Sequence, residues 1–262
     1  ISRFRIDGAV RGIIPAEPLA TRGTAARRRV APTLKVLLRD GSALGGIVVP
    51  ATSDPPAASP VLRLTRTARV TDTIARVPMR HSVGVLKRGN DALVFDQPFD
   101  DGAIVVLAPQ ADREYVIDNP SPPTNTDETF RVTALDSRGD RLWNRAYPYE
   151  PTPVPVHVTD SVVTATAARL RVTAGELAAV LHLPSYARTA TAALASADGT
   201  LWLRRETGGL VVEWTSLSPD GEPVGSVALP RDVELVAAAG PVLWGVQRTE
   251  AGSVLVRYRV KP

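Results

Sequence analysis

Residues 212–230 read "VEWTSLSPDGEPVGSVALP", and residues 130–148 read "FRVTALDSRGDRLWNRAYP". The two stretches have equal length and align without a gap. Trp214 meets Val132, Leu217 meets Leu135, Gly221 meets Gly139, Val224 meets Leu142, Leu229 meets Tyr147 and Pro230 meets Pro148. In each, an alternating apolar run leads into turn residues and then into a second run that closes on proline. Alternation puts every second side chain on one face of a strand, and Gly supplies the positive φ of a tight reversal. Each stretch is therefore a strand–turn–strand unit, and its recurrence is the mark of a repeat architecture.

Working outward, "PVLRLTRTARVTDTIARVP" at 60–78 has the same shape with the turn one residue off, and "ISRFRIDGAVRGIIP" at 1–15 is a shorter copy. A second hairpin precedes each of the three longer copies: "LKVLLRDGSALGGIVV" at 34–49, "GAIVVLAPQADREYVID" at 102–118 and "ATAALASADGTLWLRRE" at 190–206. After Pro230 another hairpin begins, "VELVAAAGPVLWGVQR", followed by the single strand "SVLVRYRV". Two hairpins make a four-stranded antiparallel blade, and blades arranged around an axis make a β-propeller. A β-sandwich is also built from short strands with turn punctuation. The ungapped alignment and the grouping in fours favour the propeller. The chain, 1–262, reads as a single all-β domain. Asp-Gly pairs at 7–8, 40–41, 101–102, 198–199 and 220–221 are read as strand reversals.

Two segments break this rhythm. Residues 79–100 read as an extra hairpin or long loop between blades. Residues 151–184 begin with the proline-rich "PTPVPV" and then turn helical. Thr159 or Asp160 is placed to cap a helix through Leu170. Thr173 with Glu176 has capping-box spacing for a second helix through Leu181. Val163, Ala167, Leu170, Leu177 and Leu181 would face the sheet. The segment is expected to pack over one face of the propeller as a helical insertion.

With 262 residues, 44% of them hydrophobic, the chain is long enough for a substantial core. No apolar run approaches the roughly 18 residues of a membrane span. The absence of cysteine excludes disulfides, thiolate metal sites and cysteine nucleophiles. The net charge of +4 is carried almost wholly by arginine, since Lys35, Lys87 and Lys261 are the only lysines. With abundant alanine, valine and proline, that arginine reads as the coding bias of a GC-rich genome. The one dense basic run, Arg27-Arg28-Arg29, is short and comes with no recognition motif, so nucleic acid is not an expected partner.

Five stretches, "VTDTIARVP" (70–78), "GDRLWNRAYPYEPTPV" (139–154), "DGTLWLRR" (198–205), "DGEPVGSVALP" (220–230) and "VLWGVQR…VLVRYRV" (242–260), give the chain a family likeness. It resembles bacterial six-bladed β-propellers of the TolB-like and NHL-like type over most of its length. The shared residues are those of strands and turns, so the resemblance speaks to fold rather than activity. It implies a periplasmic or extracellular location. It also implies that about four and a half blades are present, and that a closing strand and about one and a half blades lie upstream of Ile1. The expectation is an N-terminally truncated propeller, an open arc with two exposed sheet edges.

Catalytic motifs do not emerge. There is no G-x-S-x-G elbow, no phosphate-binding glycine loop, and no pair of histidines at metal-ligand spacing. His157 in the proline-rich loop and His182 at the end of the insertion are read as structural or surface residues. Arg80, His81, Asp96 and Gln97 share the 79–100 segment, where inter-blade loops line a channel mouth, and are the candidate ligand contacts. Tyr147 and Tyr149 flank Pro148 at a strand end, and Tyr149 is a candidate rim contact. Arg138-Gly139-Asp140 is read as a hairpin turn, and Trp143, Trp202, Trp214 and Trp244 as filler between sheets. No cofactor or metal is expected. The function expected is a non-catalytic module that binds a protein, peptide or glycan. The alternative is a metal-dependent lactonase-like or esterase-like hydrolase, with Asp96, Asn90, Gln97, Asp118 and Asn119 as ligands by residue type.

Overall fold

The computed structural model describes residues 32–37, 41–47, 57–65, 67, 69–81, 83–89, 91–108, 112–118, 129–207, 209–250 and 252–260. The short repeat copy at 1–15, Asp7-Gly8, the Arg27–Arg29 run, Asn90 and Asn119 lie outside these residues.

The described residues are mostly β, in several small antiparallel sheets that do not close into a barrel. The first sheet contains β1 (Pro32–Leu37), β2 (Ala43–Ile47), β3 (Ala58–Leu64) and β4 (Val70–Pro78). A separate hairpin follows, β5 (Val83–Arg88) with β6 (Asp91–Asp96). The second four-stranded sheet is β7 (Ile104–Ala108), β8 (Arg113–Asp118), β9 (Thr129–Asp136) and β10 (Arg141–Pro148). After two helices the third contains β11 (Ala192–Ala195), β12 (Leu201–Glu206), β13 (Val211–Leu217) and β14 (Pro223–Pro230). The last has three strands, β15 (Val233–Ala239), β16 (Val242–Thr249) and β17 (Gly252–Arg259). Within each sheet the strands pair in sequence order, as meanders.

The repeat seen in sequence is a repeat in register. β9–β10 and β13–β14 are the two aligned units. Their matched positions Phe130 and Val212, Val132 and Trp214, Leu135 and Leu217, and Tyr147 and Leu229 are all buried. Pro78, Pro148 and Pro230 each end the fourth strand of a sheet. A fourth strand at a sheet edge tolerates proline, because the missing N–H breaks no inner ladder. Gly41, Gly139, Gly199 and Gly221 all have φ between +77° and +87°, as their Asp-Gly or Arg-Gly turns require. Arg138-Gly139-Asp140 is a hairpin turn, with the Asp136 carboxylate accepting from the backbone N–H of both Arg138 and Asp140.

The sheets stack face to face in chain order. Leu44, Val61, Ile74 and Val77 of the first meet Leu135, with Val105, Leu107 and Val116, of the second. Tyr115, Ile117, Val132 and Tyr147 of the second meet Leu201, Leu203 and Leu217 of the third. Trp202, Val212, Trp214 and Leu229 of the third meet Leu235, Ala238 and Leu243 of the fourth. At each boundary two apolar faces close over one another, which is where most of the folding free energy arises. The first strands β7, β11 and β15 come together along this stack.

The insertion carries α1 (Val156–Leu170) and α2 (Ala174–Ala178). The first helix begins earlier than expected: Pro155 is its N-cap, with φ −63°, and Thr159 and Asp160 lie inside it. The Pro155 ψ is extended, at 139°, as an N-cap's is, and its fixed φ fits that position. Its ring offers no oxygen to the first-turn N–H groups, so α1 starts with no side-chain cap. The capping box at Thr173 and Glu176 forms as the spacing predicts, while α2 stops at Ala178 rather than Leu181. Ala167 and Leu177, with Leu170 and Leu181 beside them, pack on Leu86, Leu93 and Phe95 of the β5–β6 hairpin. The helices therefore cover the extra hairpin rather than one of the four-stranded sheets. Among the described residues no helix is long and apolar enough to cross a membrane.

Candidate functional site

A meander sends alternate connections to opposite ends of its sheet. Each first strand leaves one end, each second strand returns to it, and each fourth strand finishes there. The links from β4 to β5, from β6 to β7, from β10 through the helices to β11, from β12 to β13 and from β14 to β15 therefore gather at one end. The short turns with Gly139, Gly199 and Gly221 lie at the other. The first end holds the polar groups around Asp101 and those around Glu206.

Asp101 lies in the link from β6 to β7 and is 2% exposed. Its Asp-Gly pair is not a strand reversal, since β6 and β7 do not pair, and this corrects the reading of 101–102 as a hairpin turn. The carboxylate instead receives the His81 backbone N–H at 3.0 Å and faces His81 Nδ1 at 3.1 and 3.2 Å. His182 Nε2 lies 3.7 Å from its second oxygen. The rings of His81 and His182 stack, with centroids 3.8 Å apart and planes 5° from parallel. His182 Nε2 is buried and has no hydrogen-bond partner.

Electrostatics within the cluster oppose one another. Burial alone raises the Asp101 carboxyl. The His81 backbone N–H and ring, with His182 behind, outweigh it and hold Asp101 below the ordinary carboxylate range. Burial lowers the His182 imidazole, the neighbouring His81 ring lowers it further, and Asp101 pulls against both. Arg188 packs beside the same loop and donates to Asp100 O at 2.6 Å and Gly102 O at 3.0 Å. Burial lowers its pKa, with Asp100 and Asp101 acting in the other direction.

Of the residues singled out in sequence, three join this neighbourhood. His81 is in the cluster itself. Gln97 is buried, and its Nε2 donates to Val180 O at 3.1 Å while its Oε1 accepts from the His182 N–H at 3.2 Å. Its amide ties the 97–103 link to the insertion. Arg80 pairs with Asp118 at 2.5 Å, and this hydrogen bond raises its pKa against the effect of burial. Asp96 is exposed at the end of β6 and lines a shallow recess with Gln97, Thr166 and Arg169. Tyr149 stands apart, packed on the core between the second and third sheets with its ring edge-on to Phe130. The oxygen donors proposed for a hydrolase are thus divided: Asp118 is held by Arg80 and Gln97 by the insertion's backbone.

Beside the cluster is a cleft of about 850 Å³. Pro98, Phe99 and Asp100 form one wall, Pro153, Pro155, Val158 and Pro184 of the insertion another, and Gly209 and Leu210 of the β12–β13 turn a third. Leu210 is 91% exposed. On its floor Arg231 and Glu206 are bound to one another, while Asp100, His157 and Arg188 also line it. Arg231 pairs with Glu206 at 2.6 Å and donates to Gly209 O at 2.9 Å, and Thr191 donates to Glu206 at 3.3 Å. Arg231, Glu206 and Thr191 set the shape of the floor, and the walls are mostly apolar.

Sequence reasoning missed Asp101, His182 and Arg188. Asp101 carried the Asp-Gly signature of a turn, and His182 lies far from His81 along the chain. Their convergence depends on the insertion folding back over the 97–103 link, which Val154 N–H to Ser185 O and Ala187 N–H to Thr152 O fix at its base. Neither a family model nor a curated protein matches the chain.

Proposed function

We propose that the chain is a non-catalytic recognition module, built as part of a β-propeller in an extracytoplasmic compartment, that binds an extended peptide in the cleft beside the insertion. Four sheets that stack in chain order, with their first strands together, support the propeller reading, as does the repeat ending on Pro78, Pro148 and Pro230. The observation that carries the binding reading is the cleft itself. It has the size and the mostly apolar lining of a ligand site. On its floor Arg231 and Glu206 pair with each other rather than standing as a free base and acid. Proline walls present no N–H donors of their own, so an extended peptide would be recognised through apolar side chains, with Leu210 and Phe99 as anchors.

Panning a random dodecamer peptide display against the chain tests this. Selected peptides are expected to lose at least tenfold in affinity on Leu210→Asp and on Val158→Asp, with unchanged circular dichroism. Peptides that bind both variants as well as the parent would place recognition elsewhere and overturn the reading. Ester or lactone turnover abolished by the same two substitutions would replace it with an enzymatic one.

A further inference from the structure

The geometry points to a transition-metal site, with His81 Nδ1, Asp101 and His182 Nε2 as its ligands and Zn²⁺ as the ion it fits best. The three donor atoms lie within 4.8 Å of one another, although they come from three separate links of the chain. Tetrahedral zinc, with ligand distances near 2.0–2.1 Å, separates its donors by roughly 3.3 Å. His81 Nδ1 and the Asp101 oxygens are already 3.1 and 3.2 Å apart, and His182 Nε2 is 3.7 Å from Asp101 Oδ2. His182 Nε2 is buried and makes no hydrogen bond, so a metal there would displace none.

Donor chemistry selects the ion. Two imidazoles and one carboxylate suit zinc and its neighbours in the first transition row, whereas calcium and magnesium take oxygen ligands almost exclusively. Three protein ligands leave a coordination position open. Of the ligands, the His81 side chain is 54% exposed and that of Asp101 3% exposed, so the ion would enter from the His81 side. The His81 backbone N–H holds Asp101 Oδ1 at 3.0 Å, and Gln97 Oε1 holds the His182 backbone N–H at 3.2 Å, so two of the three ligands are anchored near the site.

Two features set the affinity. A nitrogen lone pair lies in its ring plane, so stacked parallel rings cannot both aim at one ion. The exposed His81 ring must swing out of the stack, losing that contact. Arg188 and Arg80 also place positive charge near Asp101, which works against a dication. Micromolar rather than nanomolar binding follows. The consequence is structural. The ion would tie the insertion to the links on either side of the β5–β6 hairpin, adding to the Gln97, Arg188 and His81 hydrogen bonds that already join these segments. It is independent of what the cleft binds.

The test is titration of the full chain, freed of metal with a chelator, with Zn²⁺ in competition against a chromophoric chelator. Substitution with Co²⁺ reports the coordination geometry. One Zn²⁺ per chain is expected, with a dissociation constant in the micromolar range. Saturating Zn²⁺ raises the melting temperature by several degrees, and Ca²⁺ and Mg²⁺ leave it unmoved. The Co²⁺ form shows the visible absorption of a tetrahedral or five-coordinate site. His81→Ala and His182→Ala each weaken binding at least tenfold, and His157→Ala leaves it unchanged. Because His81 is exposed, its variant folds even where Asp101→Asn does not. No stoichiometric binding below 100 µM overturns the proposal and leaves the cluster a hydrogen-bonded tie only. Binding that survives His81→Ala and His182→Ala together overturns it equally.

Discussion

Tyr147 donates its hydroxyl to Gly221 O, 2.7 Å away, and Tyr115 donates to Gly199 O. Both carbonyls belong to Asp-Gly turns of the third sheet, and both tyrosines to strands of the second. Trp143 Nε1 and Arg113 bind Pro219 O in the same turn. The turn residues thus do two jobs, reversing the chain and presenting carbonyls to the preceding sheet. Tyr147→Phe is expected to cost about 1 kcal/mol in urea unfolding, the net worth of one such hydrogen bond. It should also change the pH profile. Burial, with Glu222 adding and Arg145 opposing, raises the Tyr147 phenol to about 12. A phenol raised on folding stabilises fully below its unfolded pKa of about 10, and that contribution is lost as pH climbs from there towards 12. Unfolding titrations across that window should fall less steeply for Tyr147→Phe than for the parent.

At the scale of elements, the two glycine turns and the extra hairpin are the sensitive points. Gly139 and Gly221 share a φ near +85°, at +87° and +83°, so alanine costs roughly 1–2 kcal/mol at either. They differ in what a Cβ would meet. At Gly139 it would come within 2.8 Å of Ile74 O, a backbone atom of the first sheet, whereas at Gly221 the nearest atom is Tyr147 Oη at 3.0 Å. Gly139→Ala should therefore be the more damaging in a paired denaturation experiment. In the β5–β6 hairpin Phe95 lies across Gly84, where a Cβ would stand 2.4 Å from the ring. Gly84→Ala would push Phe95 from beneath α1 and α2, at a cost of roughly 1–3 kcal/mol. Hydrogen exchange should show the helices loosening first. Thr173→Ala removes the capping box and about 1 kcal/mol from the same region.

Among the described residues the three- and four-stranded sheets form a stack in which each packs on its neighbours in sequence. Trp214, 2% exposed, packs in the boundary between the third and fourth sheets. Trp214→Ala should cost roughly 3–5 kcal/mol, and melting followed by the remaining tryptophans should lose its single transition as the fourth sheet detaches before the rest. Unchanged cooperativity would show that the last sheet draws its stability from elsewhere.

The strands, their grouping in fours, the proline that closes each group and the capping box at Thr173 were all legible in the sequence. They depend on local periods and turn chemistry, which residues within one hairpin determine among themselves. The start of α1 at Val156 was not, because Pro155 replaced a side-chain cap with its fixed φ. Nor was the candidate site. Arg80, His81 and Gln97 were singled out by their shared segment, but their partners Asp118, Asp101 and His182 are set by how links between sheets gather at one end. Asp101 has the sequence of a turn and the position of a buried hub, a difference that no local pattern carries. By itself the sequence determined which residues form strands and which faces are apolar. Only the tertiary structure decided which polar groups meet, because those meetings depend on the stacking of separate sheets and on an insertion folding back over a distant link.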